Sequence, residues 1–484
     1  MSGASFGVAA LLLYLALLLG VAEIARRARK SHAPSDHFLA GRELGVFVLF
    51  LTLYATAYSG NSLLGYPAEA YRRGYSWIMA TGFMMAIIVA FHSLVPGLRP
   101  VAIRHGFVTP GDWIRFRFQD DRWGMRLRVA VSVLMTIALA NFLLAQLMAM
   151  GHVTSQITAD AVPYWGGVLG LAAVILLYET VGGMRAVAWT DAAQSILMLV
   201  GLAALLGWLV GSAGGLEAVT LELYTLRPDA VQVPDARECA NWVSTIVLLG
   251  LASIVYPQAI QRLYAARDGK SLRRSLSLMA FMPLTTTLVV TLIGIAAIGR
   301  FEHLGTLEAD RVMPRLLSDW AATGMLGSTL SLLVFLGALA AIMSTADSVL
   351  LSLGSVVAQD FLGRSRLDAS TTQLGKRIAA FVMGGATLLA LFPLLTLWRL
   401  IELKMELLIQ CAPAFVLAIH WRRLSARAAF LGLVAGTGVA VGSVLLGVKR
   451  IEGVHVGVVG LLVNLGVALV VSAVTPRDPP AQSR

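Results

Sequence analysis

Charge is scarce in this sequence: Asp, Glu, Lys and Arg make up 13% of its 484 residues, about half their share in ordinary globular proteins. Cysteine is nearly absent too, with Cys239 in a polar connection and Cys411 inside an apolar run. Two such cysteines exclude a disulfide scaffold and any four-cysteine zinc or iron–sulfur site. No Gly/Ser linker, block of like charge or extramembrane module interrupts the chain. The eight histidines lie mostly in loops or at helix ends. With no paired His ligands and no triad to assemble, an enzyme acting within the membrane lacks its chemistry. What abounds is apolar surface: 57% of residues are hydrophobic and the mean hydropathy is +0.77. Too little polar surface remains to cover a water-soluble body of 51.6 kDa. The composition describes an integral membrane protein of the all-α polytopic class.

A spanning helix needs roughly 20 mostly apolar residues, and that window gives about 13 transmembrane helices. They fall near 5–24, 44–70, 76–98, 128–150, 162–181, 186–212, 241–261, 275–299, 325–358, 378–397, 400–421, 426–447 and 455–474. The run at 325–358 exceeds one perpendicular span. No positive charge precedes the first run and Arg26, Arg27, Arg29 and Lys30 follow it, so it reads as a span, not a cleavable signal. The N-terminus is then expected outside and the tail 475–484 disordered in the cytoplasm. On this topology the inner connections carry 27 of the 38 Lys and Arg, and the outer side and its helix ends carry 11. The positive-inside rule accounts for that bias. The formal charge of +11 therefore points to a plasma-membrane (bacterial inner-membrane) topology, with the lipid bilayer as partner and no nucleic acid.

Polar residues inside apolar runs need a reason, because an Asp at a span's centre costs roughly 2.5–3.5 kcal/mol on insertion scales. Ser344, Asp347 and Ser348 are spaced i, i+3 and i+4 and share one helix face, with Thr345 bordering it. Three hydroxyls and a carboxylate on one turn suit a small hard cation; alternatively the hydroxyls bond back to their own helix and Asp347 snorkels or caps. A second concentration is Tyr54–Pro67, where Gly60, Gly65 and Pro67 weaken a helix while Thr56, Ser59, Asn61 and Ser62 offer partners. Irregular backbone at that depth survives where it lines a cavity or is buried in protein. In Tyr178–Gln194, Gly182 and Gly183 suggest a tight inner turn. Asp191 and Gln194 then lie deep in the next helix, where Asp191 requires a partner: a cation shared with Asp347, or a hydrogen bond. Pro257 breaks a further span within Ser253–Arg262. Arg399 and Glu402 read as interfacial, whereas Glu406 and Gln410 share a face further in and are candidate solute contacts.

In this order the segments resemble the sodium:solute symporter family over nearly the whole chain, from Asp36–Arg42 onward. The most specific element is Met343-Ser-Thr-Ala-Asp-Ser348 followed by Gln359-Asp-Phe361, supported by Gly65-Tyr-Pro67, the Gly-Gly turn and Gln261-Arg262. The resemblance implies a LeuT-type core of 5+5 inverted repeats at 44–212 and 241–421. A leading helix and cytoplasmic loop at 1–43, an external loop at 213–240 and two peripheral helices at 422–474 surround it. Ion and solute bind at broken helices near the midplane in such architectures, and the breaks near Gly60 and Pro257 fall in the first helix of each repeat.

Carried over, the main sodium site comprises the carbonyls of Ala55, Tyr58 and Ala341 and the hydroxyls of Ser344 and Thr345. A second cation site found in some members maps to Asp191, Ser344, Asp347 and Ser348, with Asp347 where relatives commonly carry Ser or Thr. Ser62 matches a sugar-binding Gln, Ala57 matches an Asp of the proline branch, and Leu249 and Ser253 replace that branch's aromatics. Both substrates are disfavoured, and the motifs stand nearer the pantothenate and organic-acid branch. Ser59, Asn61, Ser62, Ser253, Glu406 and Gln410 are the solute-contact candidates. The expected activity is import of a small polar solute by sodium symport, in a monomer without organic cofactor. Proton coupling stays open because Asp191 and Asp347 both have a side chain able to carry a proton. A solute sensor signalling through a partner is the alternative from another class.

Overall fold

The computed structural model describes residues 39–119, 121–301, 304–361 and 369–474, with pieces of the first apolar run (7–9, 11–16, 20 and 23). The expected tail 475–484 and most of the expected first span lie outside the described residues. So do the side chains of Asn61 and of residues 177–187, 189, 190, 193 and 194. Regular structure among the described residues is helical apart from a hairpin pairing Arg450–Ile451 with Val454–His455. Seven described helices are long and apolar enough to cross a membrane, eight with one bent pair. That number is below 13 because several of the expected runs are not single straight helices.

The first interruption follows α1 (Val46–Ala57). Tyr58 leaves the helical region (φ −108°, ψ 78°), and the Ser62 and Leu63 amides then bond to the Ser59 carbonyl at 2.9 and 3.1 Å. A wide turn over Asn61–Gly65 leads into α2 (Tyr66–Arg73). Gly60 sits where side chains converge: a Cβ there would lie 2.3 Å from Ile342 Cγ1 and 3.0 Å from Gln146 Oε1. Even one methyl overpacks the site, so Gly60→Ala is expected to cost about 1–3 kcal/mol and lower the melting temperature in detergent. Ile342→Ala in the same chain should recover part of that loss, because it removes the atoms the new methyl strikes.

After α3 (Met79–His105), a short helix α4 (Pro110–Phe118) begins on a capping box between Thr109 and Asp112, with Pro110 in its first turn. Next come α5 (Arg122–Ile157) and α6 (Tyr164–Ser212). The chain is helical on both sides of Gly182 and Gly183, where a turn is expected. As one rod, 49 residues would reach about 74 Å. Both ends nevertheless meet the same region. Tyr164 packs 5.0 Å from His152, one turn from Gln156, which bonds to Ser318 at 2.8 Å. Trp208 stacks 5.6 Å from Trp320, and Ser318 and Trp320 share one short helix. The run therefore doubles back.

The second interruption separates α7 (Ala236–Ser253) from α8 (Pro257–Ala265), which meet at a bend of 53°. Proline has no amide hydrogen and drives the residue before it out of the α region; Tyr256 accordingly takes φ −60°, ψ 126°. Then α9 (Gly269–Met279) and α10 (Leu288–Ala296) flank a wide turn at Pro283–Thr287. The long helix α11 (Met325–Val356) packs on α1, α5, α6 and α8 and is almost wholly buried from Gly337 onward. Further along the chain come α12 (Ala369–Ala390), α13 (Leu397–Leu408), α14 (Ala426–Leu445) and α15 (Val456–Val474). In α14, Gly436 lets the backbone of α15 approach: its Cβ would lie 2.5 Å from the Gly460 carbonyl. Small residues at such crossings are how helices associate in lipid.

Candidate functional site

Four helices meet at one buried polar cluster. Asp191 of α6 and Arg262 of α8 are both 0% exposed, and Arg262 Nη2 lies 3.3 Å from Asp191 Oδ2. Hydroxyls of Thr52 on α1 and Ser344 on α11 donate to the two Asp191 oxygens. The guanidinium is tied down as well: Nε donates to Thr52 Oγ1 at 3.0 Å, Nη1 to the Gln258 carbonyl at 3.3 Å and Nη2 to Ser348 Oγ at 2.7 Å. A buried ion pair is tolerated when such bonds satisfy both partners. This arrangement answers what stabilises Asp191 at that depth: the partner is a protein cation, and Asp347, also buried, is not among its partners. Arg262 thus supplies positive charge at Asp191.

Beside this cluster, Thr345 Oγ1 lies 2.9 Å from the Ala341 carbonyl and 3.5 Å from the Ala55 carbonyl. The Ala55 carbonyl belongs to the last turn of α1, where helical carbonyls lack successors to bond them. Three of the five expected sodium ligands are thus within reach of one another across α1 and α11. Ser344, the neighbour of Thr345, has its hydroxyl turned to Asp191. Tyr58 sits at the break, its ring 4.7 Å from that of Tyr54 and its hydroxyl accepting from Thr287 at 3.4 Å. Oxygens of this kind suit a hard cation.

A cavity of about 90 Å³ opens against the two interruptions. Tyr58, Ser59 and Ser62 border it from the first, Ser253, Tyr256 and Gln258 from the second. Apolar walls come from α3, α5, α7 and α9, through Ile88, Phe142, Leu249 and Met279 among others. Of the solute-contact candidates, Ser59, Ser62 and Ser253 border the cavity. Glu406 and Gln410 do not: Glu406 faces Arg399 at 3.5 Å and His455 at 3.7 Å, and Gln410 donates to the Gly457 carbonyl at 2.8 Å. Both serve the packing of α13 and the segment after it on α15.

The face of α13 that does reach the cavity carries Lys404 and Met405. Lys404 lies two residues from Glu402 and from Glu406 and therefore points away from both. Sequence reasoning followed the acidic face and passed over it. A charge in the middle of an apolar run was the available signal. Gln359-Asp-Phe361 has a different role, since Asp360 accepts from Thr109 at 2.7 Å and Gln359 donates to Asp112 at 2.7 Å. These bonds fasten the end of α11 to the cap of α4.

Comparison with known proteins bears on the family and the fold. The profile of the sodium:solute symporter family matches residues 37–436. The chain is 28% identical over 454 residues to the sodium/pantothenate symporter of Escherichia coli K12, covering 88% of each chain. It is 24% identical over 468 residues to the osmoregulated proline transporter of Bacillus subtilis strain 168, covering 94% of this chain and 92% of that one. Among solved structures, a Na+-coupled sialic acid symporter in a substrate-bound outward-open state superposes with a TM-score of 0.80 at 17% identity, over 97% of this chain and 98% of that one. Likeness at that identity shows the fold, which is the all-α LeuT-type fold expected.

Proposed function

The chain belongs to the sodium:solute symporter family, and from that premise we propose that it imports a small organic acid by alternating access, driven by sodium bound between α1 and α11. As a member it is a multi-pass membrane transporter rather than an enzyme, and its partner is a small-molecule solute. One observation carries the ion assignment. The Thr345 hydroxyl stands within 3.5 Å of the Ala55 carbonyl, across the gap between the interrupted helix and α11. In this reading Ala55, Tyr58, Ala341, Ser344 and Thr345 hold the ion, and Ser59, Ser62 and Ser253 contact the solute. Tyr58 links the two, because it is both a proposed ion ligand and a cavity wall. Sodium draws α1 and α11 together, closes the wall against the solute, and leaves the cavity loose when it departs.

The proposed repeats are 44–212 and 241–421, each opening with an interrupted helix. We place the protein in the bacterial inner membrane as a monomer, with its N-terminus outside and its C-terminus cytoplasmic, on the Lys/Arg bias. Intrinsic tryptophan fluorescence of the purified protein at constant ionic strength tests the coupling ion. A saturable sodium response absent with potassium is expected. A response to pH in place of sodium would transfer the reading to proton coupling and remove the ion site proposed above.

A further inference from the structure

Lys404 is the one charged side chain among the described residues lining the cavity, and it is 2% exposed. Its ammonium lies 3.3 Å from the Phe142 ring centroid and 5.5 Å from that of Tyr256. Aromatic faces stabilise a cation, but by less than burial in an apolar wall costs it. Among the described residues no carboxylate completes the balance. Glu402 is engaged by Arg399 and Arg450, and Glu406 by Arg399 and His455. Asp191 is engaged by Arg262. The described cavity lining contains no Asp or Glu.

A second observation points the same way. The Tyr256 hydroxyl and Gln258 Oε1 are buried without a hydrogen-bond partner, and both residues line the cavity. Buried polar atoms are almost always paired, so unpaired ones beside an unpaired cation mark a place that a ligand completes. We propose that Lys404 is the seat for the solute's negative charge, and that the solute is a monocarboxylate with a compact, largely apolar body. The inference rests on the cavity being the solute site, as proposed above. Its carboxylate pairs with the ammonium and accepts from the Tyr256 hydroxyl, and the rest of the molecule meets Phe142 and Leu249. Compactness follows from the cavity's 90 Å³, where one water-sized sphere needs about 10–15 Å³. A neutral sugar or a cationic amine would leave the ammonium unpaired or repelled.

The test uses purified full-length protein in sodium buffer and measures tryptophan fluorescence and thermal stabilisation. The probes are propionate, pyruvate and benzoate, their uncharged amides, and the longer acid pantothenate. The three compact acids are expected to bind in sodium at least tenfold more tightly than their amides and than pantothenate. Lys404→Met should weaken acid binding about 30-fold or more and abolish the preference for acid over amide. Lys404→Arg should keep the preference. Equal binding of acids and amides to the wild type overturns the inference, as does unchanged acid binding in Lys404→Met, or no sodium-dependent response to any compact acid. Tighter binding of pantothenate than of the compact acids overturns the size argument. If both variants lose the melting transition, the comparison of acids with amides on the wild type decides alone. A wild-type sodium response without any acid reports separately on the coupling reading, so failure of the two is told apart.

Discussion

Replacing Ser344 and Thr345 together by alanine is expected to abolish the sodium response and sodium-driven uptake, leaving residual binding at least 100-fold weaker. Hydrogen bonds and ligand contacts to charged groups are worth about 1.5–3 kcal/mol each, and every 1.4 kcal/mol is about tenfold in affinity. Two lost hydroxyls therefore exceed that threshold even if the backbone carbonyls remain. The single variants should differ. The Thr345 hydroxyl reaches towards Ala55, whereas that of Ser344 is committed to Asp191. Thr345→Ala should accordingly cost more sodium affinity than Ser344→Ala, and Thr345→Ser should stay close to the wild type. Titration of tryptophan fluorescence with sodium at fixed ionic strength measures all four proteins. Full sodium dependence in the double variant would remove both hydroxyls from the ion site.

The second large effect concerns the ion pair. Arg262→Ala leaves the carboxylate of Asp191 fully buried with only the Thr52 and Ser344 hydroxyls to satisfy it. Removing one member of a buried pair costs about 3–5 kcal/mol, a large fraction of the roughly 5–15 kcal/mol by which folded proteins are stable. The variant is expected to give little monodisperse protein on size exclusion in detergent. Adding Asp191→Asn should restore much of the yield and melting temperature, because the amide needs no countercharge. A melting temperature unchanged by Arg262→Ala would mean that the pair does not hold the four helices together. Failure of the double variant to recover would mean that the guanidinium acts by shape rather than charge.

Much of the architecture was legible in the sequence because glycine and proline act locally. Pro257 displaces its predecessor wherever it stands, and Gly60 among four polar neighbours marks a chain that leaves the helix. Both interruptions lie where these residues placed them. The hydroxyls around Ser344 were found because polar atoms in an apolar run are few and costly. What escaped depends on direction across the molecule. Arg262 was counted with the cytoplasmic charges because it ends an apolar run, yet it turns inward to Asp191. Lys404 was passed over for Glu406, although a rotation of about 200° separates positions two residues apart on a helix. Only the packing of α13 shows which of the two looks into the cavity. The short helix Pro110–Phe118 also lay hidden in a basic connection, since nine residues give too little periodicity to declare an amphipathic face.

Arg262 also bears on the energetics of transport. A guanidinium seated on Asp191 is bonded to the chain, present at every step and delivered at none. On the reading proposed above, the site between α1 and α11 is the place for an ion that travels. One sodium ion crossing inward releases about 2.3 kcal/mol per 100 mV of membrane potential and about 1.4 kcal/mol per tenfold concentration gradient. When its companion is a monoanion, the charges moved sum to zero and the voltage contribution cancels. The solute then accumulates only as far as the sodium concentration ratio allows, at a level indifferent to depolarisation.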